Sequence, residues 1–120
     1  MIETLIARVF FARNFAHFEH WRAKGDGSFA KHQALGSFYD DVIDALDPLV
    51  EAYQGAFDLV KNIPTPDTSQ TDILKLLQAD AEWIEKNHET VCKGNRALAN
   101  LLDNVAAVYL SAIYKLRNLK

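Results

Sequence analysis

The chain of 120 residues has a single cysteine, Cys92, so no disulfide can form within it and no paired-cysteine metal motif can be assembled. One cysteine fits a reducing compartment, and a cytoplasmic location is the expectation. Glycine is scarce, and none of the five glycines falls in a phosphate-cradling pattern. No run of about 18 apolar residues exists, so no membrane span is expected. The apolar N-terminus is interrupted by Arg8 and Arg13 and leads to no small-residue cleavage site, so it reads as a helix of the mature protein rather than a signal peptide. Positive charge is not in excess: 13 basic against 16 acidic residues give a net charge of −3. A dominant interaction with a phosphate backbone is therefore not expected, and nucleic acid is not an expected partner. The length suits one domain over residues 1–120 with one core.

What remains is helical periodicity. Leu5, Ile6, Val9, Phe10, Arg13, Ala16, His20 and Trp21 recur at helical spacing and predict a first helix over residues 2–24. Gly25, Asp26 and Gly27 break it, and Asp26 or Ser28 is suited to cap the next helix. So short a link implies an antiparallel hairpin. A second helix is predicted over 28–61, with Leu35, Phe38, Val42, Leu46, Leu49 and Tyr53 on its apolar face and Asp40, Asp44, Asp47 and Glu51 as an acidic stripe beside it. Pro48 interrupts this helix, but the apolar period continues through it, so one kinked helix is expected. The proline-bearing stretch 62–70 is the longest loop. A third helix follows to Lys93, with Ser69 and Asp72 as its capping signal, His88 inward and Gly94 as its C-cap. A fourth covers 95–118. The fold class is thus all-α, a four-helix bundle with a short first hairpin and a longer loop between helices two and three, expected in up-down-up-down order.

Residues 17–51 carry the chemistry. His20 and His32 flank the break and can sit side by side, while Asp47 and Glu51 lie on the following helix at i,i+4. Imidazole and carboxylate ligands suit iron, zinc or manganese. His32 and Asp47 are separated by about 22 Å on a continuous helix, so they cannot share a metal within one chain. A second copy, antiparallel about a two-fold axis near residue 40, would bring them together. The expected site is therefore shared across a homodimer. Glu85-x-x-His88 has the spacing of intrabundle di-metal proteins, but the matching ligands on the other helices are missing, and His88 is read as a satisfied histidine.

The hairpin resembles the Dps family of mini-ferritins. The stretch His20-Trp21-x-x-Lys24-Gly25, then Phe29, His32, Phe38-Tyr39, Asp47 and Glu51, agrees with the family's spacings. The resemblance implies a ferritin-like bundle whose His20 and His32 bind iron together with Asp47 and Glu51 of a two-fold mate. Ferrous oxidation, with iron storage or detoxification, is the implied activity, and a twelve-subunit cage the implied assembly. Where the family has a further acidic ligand one turn after the second histidine, this chain has Gly36, and Pro48 follows the interface aspartate. No basic tail is expected before the first helix, and residues 62–70 leave little room for the extra short helix of that family. These departures define the alternative: a metal-free or vestigial ferritin-like dimer that acts as a structural or protein-interaction module.

Overall fold

Four amphipathic stretches become four helices, and no strand forms. The computed structural model describes residues 1–120, with α1 (Ile2–Arg22), α2 (Ser28–Ala56), α3 (Ile73–Cys92) and α4 (Arg96–Asn118). The first turn depends on glycine: Gly25 and Gly27 sit at φ 92° and 77°, where a Cβ is strained. The expected side-chain cap on α2 is absent. Gly27 occupies the N-cap position, and the Ser28 N–H instead bonds to the Gly25 carbonyl at 3.1 Å. α3 and α4 do carry side-chain caps, Asp72 accepting from the Lys75 N–H and Asn95 from the Leu98 N–H. The turn between them places both Lys93 and Gly94 at positive φ. α2 runs unbroken through Pro48. Both Pro48 and Asp44, whose carbonyl loses its helical donor, are exposed, so water can satisfy that oxygen.

α2 stops at Ala56, five residues short of the expected end, where the Phe57 N–H closes the last turn on the Tyr53 carbonyl. The residues thus freed, 57–72, form a long connection whose path sets the topology. The Lys61 N–H bonds to the Glu3 carboxylate at 2.9 Å, at the start of α1. That bond holds the Glu3 carboxyl below its usual range. Residues 64–70 then lie against Thr4, Arg8 and Phe11, and Thr71 reaches Phe18 and Arg22 at the far end of α1. The connection therefore runs the length of the bundle. α3 starts beside the first hairpin, where Asp72 and Ile73 share a cavity with Asp26 and Gly27, and α4 ends at the same place. The order is up-down-down-up rather than up-down-up-down. Every packed neighbour is still antiparallel: α1 on α2, α2 on α4, α4 on α3 and α3 on α1. One long crossover is the connectivity of ferritin-like bundles.

The core is continuous along the axis, with Leu5, Val9, Leu35, Leu46, Leu77 and Leu102 fully buried. Phe38 of α2 meets Tyr109 of α4 edge to face at 5.0 Å. α4 is, by length and composition, apolar enough to cross a membrane, but here Leu98, Leu102, Val105 and Tyr109 make it a wall of the bundle.

Candidate functional site

The α1–α2 hairpin brings His20 and His32 into reciprocal contact. The His20 Nδ1 lies 2.7 Å from the His32 carbonyl oxygen, and the His32 Nδ1 lies 2.8 Å from the His20 carbonyl oxygen. A carbonyl can only accept, so both Nδ1 atoms carry protons and donate. In the neutral rings each Nε2 is then left with its lone pair. The rings are stacked, with centroids 3.6 Å apart and planes within 18°. The two bonds also tie the last turn of α1 to the first turn of α2, each contributing about 0.5–1.5 kcal/mol. Gly36 makes this possible. A Cβ there would lie 3.1 Å from the His20 Cε1 and 3.2 Å from its Nδ1. Gly36 is therefore the seat of the His20 ring, and the close approach that its small size allows is to α1 of the same chain.

Aromatic rings extend the pair outward. His17 stacks on Tyr39 at 4.0 Å, and Trp21 leans on His17 at 4.2 Å. The Arg13 guanidinium sits 6.0 Å over the Tyr39 ring, and its buried Nε has no hydrogen-bond partner. Trp21, on the side of α1 away from its buried residues, is 65% exposed; Phe18, 6.0 Å from it, is 51% exposed, and Phe29 in the first turn of α2 is 73% exposed.

Asp47 and Glu51 lie elsewhere. Both are on α2, fifteen and nineteen residues beyond His32, and both are exposed, as are Asp40 and Asp44. At 1.5 Å per residue Asp47 stands about 22 Å from His32 along the axis. One chain holds no group of three metal-ligating side chains. The structure thus brings two of the four sequence-selected residues together and leaves the other two at the far end of the same helix. His88 points outward rather than in, with its Nε2 2.8 Å from Asp103 Oδ1, and Glu85 is exposed, so Glu85-x-x-His88 faces away from the bundle axis.

The bundle interior holds a polar group that sequence reading missed. Asp80, 1% exposed, is bonded through Oδ1 to Arg8 Nη1 and through Oδ2 to the Tyr109 hydroxyl, each at 2.8 Å. Burial pushes the Asp80 carboxyl above its usual range, against the pull of Tyr109 and Arg8. Burial and the neighbouring Asp80 charge push the Tyr109 phenol well above its usual range. The signal was present: Asp80 falls between Leu77 and Ile84 on the inward register of α3, where an acid needs a partner. Arg8 supplies it, stacked 5.1 Å over Trp83. The one carboxylate facing the interior is thus already paired with a guanidinium.

Residues 20–116 match a family of unknown function (DUF5856), a span that begins at the first histidine of the pair and includes α2, α3 and most of α4. No curated protein and no solved structure matches the chain.

Proposed function

Since the chain belongs to this family of unknown function (DUF5856), its role is read from its own surface, and we propose that it is a ferritin-like interaction module that pairs with a second copy through the α1–α2 face. The observation that carries this is the exposure of Phe18 and Trp21 at the end of α1 and of Phe29 at the start of α2, the two helix ends that the histidine pair ties together. Large aromatic side chains in water on one contiguous face mark an association site. Charge selects the occupant. The hairpin end carries Arg22, Lys24 and Lys31 against Glu19 and Asp26, a net positive charge, whereas the far half of α2 carries Asp44, Asp47 and Glu51 and no basic residue. An antiparallel copy about a two-fold axis near residue 40 sets each basic end against the other's acidic end. Sedimentation equilibrium of the wild-type chain is expected to give a dimer at micromolar concentration. The double change Trp21→Glu, Phe29→Glu is expected to raise the dimer dissociation constant by about 100-fold or more, with little change in melting temperature at dilutions where both proteins are monomeric, because both side chains are exposed in the single chain. A wild-type chain that sediments only as a monomer would reject this reading.

A second reading is favoured by the histidine geometry. An imidazole whose Nδ1–H is anchored on a backbone carbonyl is oriented to give Nε2 to a metal, and both His20 and His32 are held in this way. In the dimer, Asp47 and Glu51 of the second copy would complete an N,O site of the kind that Dps mini-ferritins use for iron, with ferrous oxidation as its activity. Zinc or manganese can use the same ligands. His32→Ala and Asp47→Ala are each expected to lose ferrous binding measured by titration. An equimolar mixture after subunit exchange is expected to regain about one quarter of the wild-type sites, because half the dimers are mixed and each holds one intact site of two. Unchanged binding in both single variants, or no recovery on mixing, would reject the shared site and leave the interaction module as the reading.

A further inference from the structure

The side of the bundle opposite the histidine pair carries a second surface. α3 and α4 diverge there into a groove of about 650 Å³. Its floor is apolar, formed by Ala81, Ile84, Ala106, Leu110 and Ile113. Leu110 is 58% exposed, and Tyr114 one turn later is exposed too. α4 is more apolar than its burial requires: in the 18-residue window that matches a membrane span by composition, only 33% is buried. Of the apolar α4 residues left uncovered, Ala106 and Leu110 stand at this groove.

The charged lining is asymmetric. Glu85 and Asp103 line the end near the α3–α4 turn, Glu82 lines the middle, and Arg117 lines the end near the first hairpin. His88 sits at the acidic end, engaged with Asp103 at 2.8 Å. From Asp103 to Arg117 the groove follows fourteen residues of α4, about 21 Å, or roughly four helical turns.

We infer that this groove docks a basic amphipathic helix from a partner protein. An apolar trough of this length takes a helix through anchors at i, i+3/i+4 and i+7, the helix-in-groove mode of recognition. The three acids select Lys or Arg flanking those anchors. They also fix direction: the partner's positive N-terminal end faces Glu85 and Asp103, and its negative C-terminal end faces Arg117. The partner therefore runs parallel to α4, with its basic residues in its first two turns. The inference does not depend on the pairing face, since the α3–α4 edge lies across the bundle from the α1–α2 edge. A dimer paired through α1–α2 presents two such grooves outward.

The test is fluorescence anisotropy with the full chain and fluorescein-labelled helical peptides of about four turns. One peptide carries Leu anchors with Lys in the first half. A second replaces those Lys by Glu, and a third moves them to the last half. The first is expected to bind at least about tenfold more tightly than either other. Leu110→Glu should abolish binding without lowering the melting temperature, and Glu82→Lys with Glu85→Lys should shift preference to the acidic peptide. Equal binding of the three peptides, no binding of the first, or unchanged binding by the Leu110→Glu variant overturns the inference. So does loss of self-association in Leu110→Glu by sedimentation, which would make a second copy the occupant.

Discussion

Replacing Asp80 by alanine is expected to lower the stability of the bundle by about 3–4 kcal/mol, and its melting temperature by more than about 10 °C. The change leaves two groups without their partner. The Tyr109 hydroxyl is wholly buried and has Asp80 as its hydrogen-bond partner, so losing the acceptor costs about 1–3 kcal/mol. Arg8 loses its counter-ion, but its side chain is 35% exposed and can hydrate in part, so its share falls below the cost of breaking a fully buried pair. Asp80→Asn keeps the shape and both contacts, since the tyrosine hydroxyl can accept from the amide, and should cost much less. The two variants also separate in pH dependence. The folded Asp80 carboxyl titrates above its ordinary value of 3.8. Between that value and the raised one, the folded state holds a proton that the unfolded state has released. The Asp80 contribution to stability therefore declines as pH rises through this window and is level above it. In Asp80→Asn that declining segment should vanish from a plot of unfolding free energy against pH. An alanine variant as stable as the wild type would show that the Arg8–Asp80–Tyr109 set does not hold α1, α3 and α4 together.

Deleting residues 65–68 is expected to abolish the cooperative thermal transition. Between Lys61, fixed to Glu3, and Thr71, beside Arg22, the chain follows nineteen residues of α1, about 29 Å at 1.5 Å per residue. Ten Cα steps extend at most roughly 33–36 Å, so this segment is nearly taut, and Pro64 and Pro66 keep it extended. Six steps reach only about 20–22 Å. α3 then cannot start at the hairpin end without unwinding α2 or leaving the bundle. In an up-down-up-down bundle the same loop would join adjacent ends, and the shortened form would still be of ordinary length for a helix–helix connection. Circular dichroism melts of the deletion variant therefore report the connectivity. A sharp transition close to that of the wild type would contradict the crossover.

Which parts of this were legible in the sequence follows from how far each signal reaches. The four helices, their apolar faces, the glycine break at residues 25–27 and the proximity of His20 to His32 are local, and spacing within about one or two turns determines them. The impossibility of a site joining His32 to Asp47 in one chain was equally determined, because helix rise alone sets it. The chain order was not. A sixteen-residue connection fits either a slack loop or a taut crossover, and only the bond from Lys61 to Glu3 and the run of residues 64–71 along α1 decide it. The role of Gly36 was also a tertiary matter. Its sequence neighbours do not show that the His20 ring rests on its Cα, since that contact comes from a different helix. Trp21 and Leu110 stand off the buried stripes of their helices, and whether another helix of the chain would cover those sides depends on where the neighbouring helices stand; none does, and both side chains are in water. The sequence by itself determined an all-helical chain with a histidine pair at its first turn. The tertiary structure decided the order of the helices, the pairing of Asp80 with Arg8 and Tyr109, and the two exposed faces, because each depends on contacts between residues far apart in the chain.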